Sequence, residues 1–239
     1  MYQDGISSIQ IADKYNTTCN TILACLRKNN ICIDNKYHNL TLNHDYFENI
    51  DSYDKAYFLG FLVTDGSVSS TNNSITITLK ASDYQILEVL SNKIGNSNKL
   101  YFSQRNEVAL RFKSAKIKQD LAMHGVHPNK TYNGISLPKI KDELMPHLIR
   151  GIIDGDGWIS VKSHQFGLCG CEALVTHVRD YLANTIGVYR VKILHPSDYL
   201  WQITWGSKRD ILSIGEYIYQ GKRDCYFQRK YENFMEIPR

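Results

Sequence analysis

The spacing of apolar residues changes several times along this chain, and the changes divide it into regions. Near the start, Ile9, Ile11 and Ala12 lead to Tyr15 at helical spacing, and Ser7 stands where a capping side chain would. The polar run Asn16-Thr17-Thr18 breaks that pattern, and Ile22, Leu23 and Leu26 then mark a second helix ending near Asn29-Asn30. Two short helices joined by so brief a break predict a helix-turn-helix within residues 1–32. Residues 33–53 are polar and weakly periodic, which reads as a linker with one short turn of structure at most.

From residue 54 the pattern repeats. Ala56-Tyr-Phe-Leu-Gly-Phe-Leu-Val-Thr-Asp-Gly-Ser67 and His147-Leu-Ile-Arg-Gly-Ile-Ile-Asp-Gly-Asp-Gly-Trp158 align without a gap. After the first copy, alternation marks a strand over 74–80, a helical stretch over 83–94, strands over 99–103 and 108–113, and a helix over 114–124. After the second come strands over 158–162 and 165–169, a helix over 172–186, strands over 190–194 and 201–205, and a helix over 208–219. The shared order is αββαββα, which predicts an α+β protein of two pseudo-symmetric units, 54–137 and 138–239, each built around an antiparallel sheet.

Bulk properties narrow the class only a little. With 239 residues, 43% of them apolar, the chain can bury one or two cores, and a net charge of +4 suits a basic face balanced by acid elsewhere. No apolar run approaches the roughly 20 residues of a membrane span, and no export signal is visible, so an intracellular protein with no membrane partner is expected. The six cysteines include no CxxC pair and read as reduced thiols. Cys169 and Cys171 lie two apart, but no further pair of zinc ligands accompanies them.

The duplicated segment carries the chemistry. Small residues recur every fourth position, at Ala56, Gly60 and Thr64 in one copy and at Gly151 and Gly155 in the other, which lets two helices approach until their backbones nearly touch. Gly66 and Gly157 suit a left-handed residue that stops each helix. If the helices pair along this face in parallel, Asp65 and Asp156 emerge side by side. Two such carboxylates repel unless cations lie between them, and a hard divalent ion such as Mg²⁺ takes oxygen ligands while leaving room for water and a phosphate. In-line hydrolysis of a phosphodiester is the reaction that follows.

These two segments, Phe58 to Gly66 and Ile149 to Gly157, resemble the signature helices of single-chain LAGLIDADG endonucleases, and the resemblance covers residues 54–234. It implies sheets lying on the major groove of double-stranded DNA, Mg²⁺-dependent cleavage of both strands, a monomer, and metal ligation by Asp65 and Asp156. The acidic sixth position of the family motif is Asp154 in the second copy and Val63 in the first. Asn129-Lys130-Thr131 and Gln228-Arg229-Lys230 resemble the family segments that bring a basic residue to the scissile phosphate, making Lys130 and Lys230 candidates for activating water or offsetting charge. Strand alternation turns Ile75, Ile77, Leu79, Val108, Leu110, Phe112, Val191, Ile193 and Ile203 inward, with Trp201 and Trp205 on the same side. Thr76, Thr78, Lys80, Arg111, Lys113, Ser160, Lys162, Arg190, Lys192, Gln202 and Thr204 are left to face DNA. Gln104, Arg105 and His164 could also line the cleft.

The spacing Tyr2-x-x-Gly5-x-Ser7, Ile11-Ala12, Thr21-Ile22 resembles helix-turn-helix modules of resolvase-like proteins, so Thr18, Asn20, Thr21, Arg27 and Lys28 are expected at a flanking groove; a helical hairpin used only for packing is the plainer alternative. Two other functions fit the same fold. One is an RNA maturase that assists splicing of the intron encoding it, which would add intron RNA as a partner. The other is a transcription regulator without catalysis, which retention of both Asp65 and Asp156 disfavours. No splicing junction of an intein is visible.

Overall fold

The computed structural model describes residues 1, 2, 6, 8–29, 31 and 41–238. In the N-terminal segment, helix α1 (Ser8–Lys14) and helix α2 (Cys19–Lys28) pack against each other. Asn16 makes the turn at φ 48°, a conformation Asn tolerates better than most side chains. Thr18 then caps α2, its hydroxyl accepting the N–H of Thr21 at 3.2 Å. Tyr2, Ile11 and Leu26 are buried together in a cluster separate from the main core. The expected capping residue Ser7 lies outside the described residues.

The presumed linker is not idle. Its first part, 33–40, lies outside the described residues, but Leu42, Tyr46, Phe47 and Ile50 are buried in the main core. His44 Nδ1 meets Ser114 Oγ at 2.8 Å, and Asn43 N–H donates to Ile94 O at 2.8 Å. Leu42, Tyr46 and Ile50 stand four apart with Phe47 beside them, but so short a run among polar residues reads as loop in sequence while it packs as core.

Two units follow, each αββαββα with one further helix. The first comprises α3 (Tyr53–Thr64), β1 (Gly66–Val68), β2 (Ser74–Lys80), α4 (Tyr84–Lys93), β3 (Tyr101–Phe102), β4 (Glu107–Lys113), α5 (Ala115–Met123) and the single turn α6 (Lys130–Asn133). The second comprises α7 (Met145–Asp156), β5 (Gly157–Ser160), β6 (Gln165–Gly170), α8 (Glu172–Ile186), β7 (Val191–Ser197), β8 (Leu200–Trp205), α9 (Lys208–Tyr219) and α10 (Gln228–Met235). The sheets are antiparallel, in orders β1-β2-β4-β3 and β5-β6-β8-β7. Strand β1 escaped the sequence pattern because three residues are too few to show alternation.

Each sheet turns one face to a single continuous core that spans both units. Ile75, Ile77, Leu79, Val108, Leu110 and Phe112 are buried on the first sheet, and Phe166, Leu168, Ile203 and Trp205 on the second. The second sheet departs from expectation at its edge. Val191 is half-buried and Ile193 is 41% exposed, because strand β7 overhangs the core. Trp201 is also half-buried and stacks on His195, with ring centroids 4.4 Å apart.

Candidate active site

Helices α3 and α7 form the centre of the molecule, and glycine decides how closely they meet. A Cβ at Gly60 would strike the carbonyl oxygen of Leu148, and one at Gly151 would strike that of Tyr57. A Cβ at Gly155 would collide with the Thr64 hydroxyl and come within 3.0 Å of Asp65 Oδ2. That hydroxyl folds back onto its own helix, donating to Phe61 O at 2.9 Å. The helices therefore touch backbone to backbone, a contact open only to residues without a side chain.

Gly66 and Gly157 are not left-handed, contrary to the sequence reading. Gly157 is extended, at φ −95° and ψ 171°, and Gly66 is not among the positive-φ glycines. Their reason is steric: each chain passes directly from helix to strand, and a Cβ would press to 2.6 Å from Leu62 O at Gly66 or 2.7 Å from Ile153 O at Gly157.

Asp65 and Asp156 end the two helices, and each lies in the field of the same cations. Burial and the charge of Asp156 push the Asp65 carboxyl up to about 7, against the pull of Lys230, Lys130 and Arg229. Burial raises Asp156 as well, opposed by Lys130 and Lys230. The Lys130 ammonium donates to Gly66 O, and the Lys230 ammonium donates to Gly157 O at 2.7 Å, so the lysines occupy equivalent places in the two units. Lys230 also reaches Ile153 O at 2.7 Å and Asp154 O at 2.6 Å, with Gly155 O at 3.5 Å. It is 4% exposed, and burial pushes it down to about 8. Burial lowers Lys130 too.

Among the described residues no group of three or more His, Cys, Asp or Glu could hold a metal ion. The donors at the seam are two carboxylates, so a cation there would fill its shell with water and substrate oxygens. That donor set fits Mg²⁺, which keeps several waters and binds through one or two carboxylates.

The sequence pattern did not reveal the partners that hold α7 in place. Asp154 is fully buried; its Oδ2 accepts from the Tyr57 hydroxyl at 3.0 Å and from Phe227 N–H at 2.9 Å, while Oδ1 has no partner among the described residues. Arg150, also fully buried, donates to Cys225 O at 2.7 Å and Ile218 O at 2.6 Å, and its Nη2 meets His147 Nδ1 at 3.0 Å. Burial and the guanidiniums of Arg150 and Arg223 hold His147 down at about 4, so its neutral ring accepts from Arg150. Cys169 donates its thiol to Asp156 O at 3.2 Å. Arg229, in whose field Asp65 lies, ties α10 to the first unit through Asp83 at 3.2 Å. Two charges four apart on an apolar helix, Arg150 and Asp154, were the one available signal for this network.

The outer sheet faces present most of the residues expected there. Thr78, Lys80, Arg111, Lys113, Lys162, Arg190 and Lys192 are exposed, while Thr76, Ser160 and Gln202 are half-buried. Ser160 accepts from the Ser163 hydroxyl at 2.7 Å. Gln104, Arg105 and His164 are exposed, as are Thr21 and Arg27 of α2. Thr204 is the exception, at 8% exposure. The Trp158 ring lies across Gly167, the partner of Thr204 in the ladder, and closes that part of the face.

The fold matches the LAGLIDADG fold of solved meganuclease structures. No protein-family model matches the sequence, and no curated protein does. Among solved structures the chain is similar to full-length DUF199/WhiA from Thermatoga maritima, with a TM-score of 0.53 and 14% identity over 82% of this chain, spanning 66% of that one. It is similar to the meganuclease I-SmaMI bound to uncleaveable DNA, with a TM-score of 0.52 and 13% identity over 75% of this chain and 87% of that one. The LAGLIDADG meganuclease I-AabMI bound to uncleaved DNA gives a TM-score of 0.50 and 12% identity over the same shares. At these identities the likeness shows the fold.

Proposed function

We propose that this protein is a site-specific double-strand DNA endonuclease that hydrolyses phosphodiesters with divalent metal held by Asp65 and Asp156. The observation that carries the reading is the meeting of these two half-buried carboxylates at the end of a glycine seam, with a lysine beside each helix end. Structures of similar fold are described as bound to DNA. Because one chain supplies both helices, a monomer suffices.

Mg²⁺, when bound, supplies a Lewis acid for the phosphate and an acidified water. The protein's own part is to hold and to orient. The seam fixes the two carboxylates. Lys130 offers positive charge beside the position of the phosphate. The exposed Lys80, Arg111, Lys113, Lys162, Arg190 and Lys192 meet the DNA backbone, and Thr76, Thr78, Ser160 and Gln202 are placed for base edges. Thr21 and Arg27 on α2 add contacts at one flank.

Asp156→Asn is expected to abolish strand cleavage in Mg²⁺ while DNA affinity stays within about threefold of the unmodified protein, since a neutral isostere leaves the outer faces unchanged. Plasmid cleavage and gel-shift assays on the same preparation measure both. Undiminished cutting would remove the proposed mechanism.

A further inference from the structure

We infer that the two lysines do different work: Lys230 is a structural cap on α7, Lys130 alone offers an uncommitted ammonium to the cleft, and the two strand cuts therefore run at unequal rates. The inference rests on the endonuclease reading and deepens it. An ammonium has three N–H groups and no acceptor. Those of Lys230 are used by Ile153 O, Asp154 O and Gly157 O, all within 2.7 Å, on a side chain 4% exposed. Asp154 O is left without a helical partner at the end of α7, Ile153 O also accepts the Gly157 N–H, and Gly157 O opens β5, so a buried cation there gathers the carbonyls of the helix end and complements the helix dipole. The contacts leave no N–H of Lys230 for a phosphate oxygen.

Lys130 occupies the equivalent place and is held differently. Gly66 O is the one acceptor it meets among the described residues, and its side chain is only half-buried. Two N–H groups remain to be taken up in the cleft. Lys130 opens a single helical turn that follows Asn129 at φ 57°. Lys230 sits on the eight-residue α10, whose capping residue Phe227 is tied to Asp154.

Hydrolysis at either strand joins a water oxygen to phosphorus and breaks the bond from phosphorus to the leaving sugar oxygen, which departs with the electron pair. One proton of the water is released and one proton must reach the leaving oxygen. Negative charge builds on the phosphoryl oxygens in between, and an ammonium with free N–H groups offsets it. Only the cut served by Lys130 receives that help from a lysine.

Supercoiled plasmid carrying a site selected from a random library, incubated with Mg²⁺, separates the two cuts as open circle and linear product. The unmodified protein is expected to build up open circle with its nick on one mapped strand, and Lys130→Met is expected to slow that same cut by about 100-fold, so that the bias toward that strand is lost. Lys230→Met is expected to lower the melting temperature by about 5 °C or more and to leave the ratio of the two cutting rates unchanged. Equal slowing of both strands by Lys130→Met would overturn the inference. So would a Lys230→Met protein that melts like the unmodified one and slows the other cut. A Lys230→Met chain that does not fold supports the cap, and the Lys130→Met arm then decides the rest. Should the unmodified protein cut nothing, the endonuclease reading fails, while the melting temperatures still report whether Lys230 caps α7.

Discussion

The ends of α3 and α7 look alike in sequence and are held in different ways. At α7, Asp154 binds Tyr57 of the facing helix and Phe227 of the chain entering α10, Arg150 binds the carbonyls of Ile218 and Cys225, and Lys230 closes the helix end. The matching positions on α3 are Val63 and Leu59, both buried and apolar, and Lys130 donates to Gly66 O at its end. The glycine seam is shared evenly; the polar bracing belongs to one side. A duplicated motif can thus keep the geometry common to both acids while the two surroundings diverge.

The seam itself should give the largest effects, and equal ones. Gly60→Val and Gly151→Val each drive a side chain into the carbonyl of the opposite helix, and each should cost about 3 kcal/mol or more. Urea unfolding of the two variants measures this, and a Gly60→Val protein as stable as the parent would mean that the helices are not in backbone contact.

The bracing should show next, and only on one side. Asp154→Val, which copies the first motif, leaves the Tyr57 hydroxyl and the Phe227 N–H without their acceptor, at a cost of about 2–4 kcal/mol. Adding Tyr57→Phe removes one orphan and should recover about 1 kcal/mol. A double variant no more stable than the single one would show that the hydroxyl finds another partner.

A pH effect of smaller size belongs to the acids. Asp65 is raised from 3.8 to about 7 in the folded chain, so the native state holds a proton that the unfolded chain has lost. Its contribution is fully present below about pH 4 and disappears as pH rises through 7. Metal-free protein should therefore lose stability across that window, and Asp65→Asn should flatten the slope in thermal melts taken at pH 4 to 8. An unchanged slope would place the titration elsewhere.

The smallest effect is expected at Asp83–Arg229, the ion pair that links the units at the surface. Arg229 is more than half exposed, so Arg229→Ala should cost less than about 1 kcal/mol, and less again at high salt.

Much of this architecture was legible in the chain. The αββαββα order, the small residues of the seam and the inward parity of β2 and β4 follow from local periodicity, because which face of a helix or strand is apolar is written in consecutive residues. Residues 41–52 were illegible as core because four apolar residues in a short, mostly polar run do not show what they pack against. Thr204 has the parity of an outward residue, yet Trp158 covers its ladder neighbour.

By itself, then, the sequence determined that two like helices each end in an acid and that each is followed by a sheet with one polar face. Only the tertiary structure decided that Lys230 is spent on the end of α7 while Lys130 is not, and that Asp154 and Arg150 brace one helix alone. The reason is range. Periodicity records the side of an element on which a residue lies, but a hydrogen bond is settled by which polar atoms, far apart in the chain, come within about 3 Å of each other in the fold.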